Sequence, residues 1–141
     1  MSHHQLNMDV VILVGGKGTR LQSVIYDRPK PMADIDGRPF LDILIEYVAS
    51  FGYSRFIFCA GHLAEYLSKY YQKAGFKQEI ILSIEENPLG TGGAVKNAES
   101  LIQSDNFLLL NGDSFCPVDL EDFVSFHLRK KARVSMAVVL N

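Results

Sequence analysis

Residues 10–21 read Val10-Val11-Ile12-Leu13-Val14-Gly15-Gly16-Lys17-Gly18-Thr19-Arg20-Leu21, an unbroken apolar run that opens into glycines interleaved with two cations. An apolar stretch without alternation is what a strand needs when both faces of its sheet are covered. In an open α/β sheet, ligands bind beyond the carboxyl ends of such strands. Glycine lets the backbone approach an anion closely and turn successive N–H groups toward it, while Lys17 and Arg20 add countercharge. A bare structural turn needs one glycine, not Gly15, Gly16 and Gly18 together. The spacing fits neither G-x-G-x-x-G nor G-x-x-x-x-G-K-[ST], which disfavours dinucleotide dehydrogenases and P-loop ATPases.

The rest of the chain continues this pattern. Strand-like runs at Phe56 to Ala60, Ile80 to Ile84, Phe107 to Leu110 and Val134 to Leu140 alternate with helical stripes. Leu41, Leu44, Ile45 and Val48 fall at i, i+3, i+4 and i+7, with Gly52 following as a helix terminator. Leu63, Leu67, Tyr70, Tyr71 and Ala74 form a second stripe, Ala94, Ala98, Leu101 and Ile102 a third, and Leu120, Phe123, Val124 and Leu128 a fourth capped by Asp119. The expected fold is α/β and Rossmann-like, a mainly parallel sheet with helices on both faces. Residues 1–141 read as the N-terminal part of a single domain. Residues 1–8 are set apart as added or disordered sequence. A sheet whose last strand reaches Asn141 with no helix after it reads as unfinished, and the expectation is a chain truncated at its C-terminus.

Composition narrows the function. The 141 residues carry 14 Lys and Arg against 16 Asp and Glu, a net charge of −2, with no concentrated basic face for nucleic acid or an anionic membrane. Arg129-Lys130-Lys131 closes a helical pattern, where cations complement the helix dipole. Cys59 and Cys116 each lie in or beside an apolar run and read as buried thiols of a reducing compartment. No apolar run approaches the about 18 residues that span a bilayer. The expectation is a cytoplasmic protein, with homo-oligomerisation left open. A zinc site at Cys59 and His62 lacks a second ligand pair, and His127 reads as a satisfied core or boundary residue.

Three further segments carry polar chemistry. In Arg28-Pro29-Lys30-Pro31-Met32 two prolines restrict where the Lys30 ammonium points, although a Pro-rich surface loop has the same pattern. Glu85-Glu86-Asn87-Pro88-Leu89-Gly90-Thr91-Gly92-Gly93-Ala94 leads from a strand into a helix that Thr91 is placed to cap. Its glycines either admit a ligand or serve close packing. Asn111-Gly112-Asp113 sets a carboxylate just past a strand, where it is either a turn residue or, beside a phosphate cradle, a hard ligand for Mg²⁺.

Together, Gly15-Gly16-Lys17-Gly18-Thr19-Arg20-Leu21, Pro29-Lys30-Pro31-Met32, Pro88-Leu89-Gly90-Thr91-Gly92-Gly93 and Asn111-Gly112-Asp113 resemble the sugar-1-phosphate nucleotidyltransferases. Within that superfamily the segment from Pro88 is most similar to the D-glycero-D-manno-heptose 1-phosphate and mannose-1-phosphate guanylyltransferases. The resemblance implies transfer of a guanylyl group from GTP to heptose or mannose 1-phosphate, with release of pyrophosphate and Mg²⁺ as cofactor. It implies that Gly15, Gly16, Lys17, Gly18 and Thr19 bind the nucleotide and Arg20 the departing pyrophosphate. Lys30 would contact phosphates, Asp113 the metal, and Gly90 and Thr91 would border the base. Glu85 stands where similar thymidylyl- and uridylyltransferases carry glutamine. Its acceptor-only carboxylate complements the donors of guanine. Two alternatives stay open: a thymidylyl- or uridylyltransferase acting on glucose 1-phosphate, and a non-catalytic nucleotide-binding or interaction domain. The resemblance also implies further residues beyond Asn141, so the chain alone is expected to bind nucleotide weakly at best.

Overall fold

The computed structural model describes residues 7–15, 28–61 and 64–139. Strand β1 (Asp9–Leu13) comes first; a 3-10 turn at Lys30–Met32 and the hairpin strands β2 (Asp34–Ile35) and β3 (Arg38–Pro39) follow. Helix α1 (Phe40–Ala49), β4 (Arg55–Ala60), α2 (Ala64–Lys73), β5 (Glu79–Ile84) and α3 (Gly90–Asn97) alternate after that. A 3-10 turn at Glu99–Leu101, β6 (Phe107–Asn111) and α4 (Leu120–Lys130) complete the described elements.

Strands β5, β4, β1 and β6 stand in that order in one all-parallel sheet, as expected for a Rossmann-like fold. Val10 pairs with Phe56 and Leu108, and Ile12 with Phe58 and Leu110. This register sends alternate residues to opposite faces. Val10, Ile12, Phe56 and Phe58 pack with Leu41, Leu44, Ile45 and Val48 of α1, Leu67 of α2 and Val124 of α4. Val11, Ile57 and Cys59 pack on the other face with Ala94 and Ala98. At Asp119 the side chain accepts the Asp122 amide at 2.9 Å and caps α4 as its sequence predicts. Lys131 closes that helix in the left-handed region at φ 48°.

Three expectations change. The stretch 134–139 is not a strand: its apolar side chains stand in solvent, with Val139 at 83% exposure. Its alternation would suit a pleat, but among the described residues no strand offers it a backbone ladder. The stripe from Ala94 to Ile102 is two pieces, because α3 stops at Asn97 and a 3-10 turn carries Leu101 to the same core. Among the described residues α1, α2 and α4 pack on one face and α3 on the other, as expected, and Leu109 is exposed. Cys59 is buried, but Cys116 sits on the surface in the irregular segment between β6 and α4. No described helix is long and apolar enough to cross a membrane.

Asp9 anchors the amino end of the sheet. Its buried carboxylate pairs with Arg55 at 2.8 Å and accepts the amides of Gln103 at 2.6 Å and Ser104 at 3.2 Å. Burial alone would favour the neutral acid, but Arg55 and the two amides outweigh it and hold the carboxyl below its usual range. His127 bridges Ser135 and Asn106 through its two ring nitrogens, at 2.9 and 3.2 Å, as a satisfied boundary residue does.

Candidate functional site

From β1 the chain moves outward to β4 and β5, then returns to the opposite side of β1 for β6. The strand order thus reverses between β1 and β6, and the crevice beyond their carboxyl ends is the expected binding place. Gly112 closes this junction. Its amide donates to the Leu13 carbonyl at 2.9 Å. A Cβ on Gly112 would lie 2.8 Å from that carbonyl oxygen, 3.0 Å from Val14 Cγ1 and 3.2 Å from Pro31 Cγ. Only glycine lets β1, β6 and the Lys30 turn meet here.

That contact sets the next residue, Asp113, against Lys30. Pro31 and Met32 are buried, and the turn is stitched by Met32 N to Pro29 O at 2.8 Å and Ala33 N to Lys30 O at 3.0 Å. The Lys30 ammonium donates to Asp113 Oδ2 at 2.9 Å across 83 residues of sequence, and Ser114 Oγ donates to Oδ1 at 3.1 Å. Lys30 is the main reason the Asp113 carboxyl lies below its ordinary range, with Ser114 assisting against partial burial. The buried turn thus fixes the backbone from which the Lys30 ammonium reaches Asp113.

A cavity of about 640 Å³, within the range of small-molecule sites, opens at the carboxyl ends of β1, β4 and β5; Leu13, whose carbonyl accepts the Gly112 amide, is in its wall. Leu13, Gly15, Gly61, Glu85, Leu89 and Thr91 are among its lining residues. Three strand ends converge to build it: Gly15 N donates to Cys59 O at 2.8 Å, and Glu85 N to Ala60 O at 2.8 Å. A Cβ on Gly15 would meet Gly61 N at 3.2 Å, so this glycine serves strand packing at the mouth of the cavity. Glu85 Oε2 accepts the Leu89 amide at 3.2 Å, and Oε1 has no partner among the described residues. Cys59 in the cavity wall is inert, its thiol pushed up to about 11 by burial and by Glu85.

Thr91 does not cap α3. Leu89 holds the N-cap position without a side-chain bond, because Gly90 at φ 71° turns the chain first and places Thr91 inside the helix. Both readings of the glycines find a place here. Gly93 serves packing, since a Cβ there would sit 2.7 Å from Leu89 Cβ, whereas Gly92 faces open space. The structure thus brings Lys30 together with Asp113, and gathers Gly15, Glu85, Gly90 and Thr91 around the adjoining cavity. Gly16, Lys17, Gly18, Thr19, Arg20 and His62 lie outside the described residues.

Two supports of the site were missed in the sequence. The steric demand at Gly112 is one; the other lies behind the Lys30 turn. There Asp42, buried in the first turn of α1, accepts the hydroxyls of Tyr70 at 2.5 Å and Tyr71 at 2.7 Å. The Tyr71 hydroxyl is also 3.8 Å from Met32 Sδ. Burial and the Asp42 carboxylate push the Tyr70 phenol up to about 12, and Tyr71 shifts the same way. A Tyr pair reads as core in a helical stripe, and a lone Asp beside it gives no periodic signal.

Among the described residues no group of three or more His, Cys, Asp or Glu could hold a metal ion by itself. One exposed carboxylate, with a hydroxyl beside it, suits a hard cation that brings phosphate oxygens as its other ligands.

A parallel sheet with a glycine-lined cavity at the carboxyl ends of its strands defines a Rossmann-like α/β domain. The chain belongs to the nucleotidyl transferase family, which it matches over residues 9–141. Among its relatives, a D-glycero-alpha-D-manno-heptose 1-phosphate guanylyltransferase of Aneurinibacillus thermoaerophilus is 39% identical, over 93% of this chain and 57% of that protein. A mannose-1-phosphate guanylyltransferase of Mycobacterium tuberculosis is 34% identical, over 99% of this chain and 38% of the relative. The crystal structure of HddC from Yersinia pseudotuberculosis complexed with GMP-PN superposes with a TM-score of 0.77 at 43% identity, covering 86% of this chain and 54% of HddC. The chain therefore spans about half the length of the relatives it matches.

Proposed function

We propose that residues 1–141 form the nucleotide-binding part of a guanylyltransferase that converts GTP and a heptose or mannose 1-phosphate into a nucleotide sugar and pyrophosphate. The observation that carries this reading is the Lys30–Asp113 pair at the switch point, linked through Gly112 and Leu13 to a cavity that Glu85 and Thr91 also line. Kinship to proteins named for heptose and mannose 1-phosphate supports the choice of acceptor.

In this reaction a phosphate oxygen of the sugar 1-phosphate attacks the α-phosphorus of GTP, and the bond to the pyrophosphate oxygen breaks. Two polyanions must be aligned and their charge offset; no covalent enzyme intermediate is needed. Lys30 is assigned to the phosphates at the reacting centre. Gly15, Gly16, Lys17, Gly18 and Thr19 are assigned to the triphosphate, and Arg20 to the leaving pyrophosphate. Asp113 would hold Mg²⁺, which as a Lewis acid polarises the phosphoryl oxygens it binds. Glu85 is assigned to the guanine edge, its carboxylate accepting from the N1–H and N2–H₂ donors. Gly90 and Thr91 border the base.

The test is pyrophosphate release with GTP and Mg²⁺ against a panel of sugar 1-phosphates, run on this chain and on a longer relative carrying the same residues. GTP-dependent release with heptose or mannose 1-phosphate in the longer protein, abolished by Asp113→Asn, is the expected result. Release that favours UTP or dTTP, or that survives Asp113→Asn, would overturn the assignment.

A further inference from the structure

Without ligand, the Asp113 carboxylate already has a cation: the Lys30 ammonium, 2.9 Å from Oδ2. We infer that Lys30 is the resident cation of Asp113 in the ligand-free protein, and that a divalent ion gains this carboxylate only when nucleotide phosphates draw the ammonium away. Metal and nucleotide then bind cooperatively. This rests on the reading of the crevice as a nucleotide site.

The geometry gives the two residues different freedoms. The Asp113 backbone follows Gly112, whose amide is fixed to Leu13 O, and Ser114 holds the second carboxylate oxygen. The Lys30 backbone is fixed by buried Pro31 and Met32, but its side chain is 40% exposed on a flexible four-carbon stem. Only the ammonium can move. A divalent ion ligated at Oδ2 would sit within about 4 Å of an ammonium left in place. Before salt screening, that repulsion alone weakens ion binding by about thirtyfold in bulk water. If the ammonium swings away instead, breaking the exposed ion pair costs up to about fivefold. Phosphate oxygens in the crevice remove either penalty by offering Lys30 another anion. By linkage, metal must then improve nucleotide affinity by the same factor.

The experiment measures Mn²⁺ binding by electron paramagnetic resonance, with and without GTP, for the wild-type chain, Lys30→Gln, Asp113→Asn and the double variant. GTP binding is followed separately, without metal, by saturation-transfer NMR. Without nucleotide, Lys30→Gln should bind Mn²⁺ at least threefold more tightly than wild type, and the gain should vanish in the double variant. GTP should tighten Mn²⁺ binding in wild type, beyond chelation by free GTP, and do so less in Lys30→Gln. A gain below threefold, or one that persists without Asp113, overturns the inference. Lys30→Met provides a second uncharged side chain should Lys30→Gln fold poorly by circular dichroism. If GTP binds neither these variants nor a longer relative carrying the same residues while the Lys30→Gln gain is intact, the nucleotide reading falls and the competition at Asp113 stands, so the two failures are told apart.

Discussion

Replacing Gly112 by alanine tests whether one missing methyl group holds the crevice together. The new Cβ would lie 2.8 Å from the Leu13 carbonyl oxygen and 3.0 Å from Val14 Cγ1. Neither neighbour is the free end of a flexible side chain, so β6 must move away from β1 by roughly half an ångström. Overpacking of this kind costs about 1–3 kcal/mol, and strain on the Gly112–Leu13 hydrogen bond adds up to about 1 kcal/mol. We expect a loss of about 2 kcal/mol in urea denaturation; at an m-value of about 1.5 kcal/mol/M the midpoint falls by about 1.3 M. The displaced strand end also parts Asp113 from Lys30, so the Asp113 carboxyl should titrate closer to its ordinary range by NMR. Gly92→Ala is the control. With nothing within 4 Å of its Cβ, and in a helix where alanine outranks glycine, it should be neutral or stabilising by about 0.5–1 kcal/mol. A Gly112→Ala protein within about 0.5 kcal/mol of wild type, with the Asp113 titration unmoved, would refute the reasoning.

Other expectations concern charges elsewhere. Asp9 has a folded pKa below its ordinary 3.8, so its contribution is fully present above about pH 4 and lost as pH falls through the folded value. Asp9→Asn should lose about 2 kcal/mol near neutrality and show a flatter decline of stability with acid. Tyr70 and Tyr71 behave oppositely: with phenols raised, to about 12 for Tyr70, their contribution is complete below pH 10 and fades above it, when the unfolded chain ionises first. Phenolate absorbance in the native protein should show these two tyrosines titrating late, and a normal titration would contradict the Asp42 network. Exchanging Glu85 for Gln should erode preference for GTP over UTP and dTTP by about 1–3 kcal/mol, the usual worth of bidentate edge recognition. An unchanged nucleotide panel would remove Glu85 from base reading.

Strands β1, β4 and β5 are legible as β-branched or aromatic runs, and β6 as a short apolar run, Phe107 to Leu110, ending in Asn111-Gly112. Residues 134–139 have the same look and fail, because a strand is a pairing and composition cannot supply the partner. The β2–β3 hairpin passed unnoticed although Asp36-Gly37 is a strong turn signal; both residues have positive φ, 50° and 84°. Lys30 and Asp113 could be assigned to one sheet edge from strand and loop order, but their contact depends on the steric gap at Gly112, which no periodicity encodes. Cys116 was misplaced for a simpler reason: an apolar neighbourhood in sequence continued into an irregular surface segment.

The wall of the cavity formed by α3 has a thermodynamic consequence. Gly92 and Gly93 fall in the first half of an eight-residue helix whose only buried residue is Ala94. Relative to alanine, those two positions cost it about 2 kcal/mol of intrinsic stability. Such a segment opens in local excursions well below the global unfolding free energy. Its amides should exchange with deuterium long before those of β1 and β4, and an occupant resting against Leu89 and Thr91 should slow them, so that binding finishes the folding of this wall.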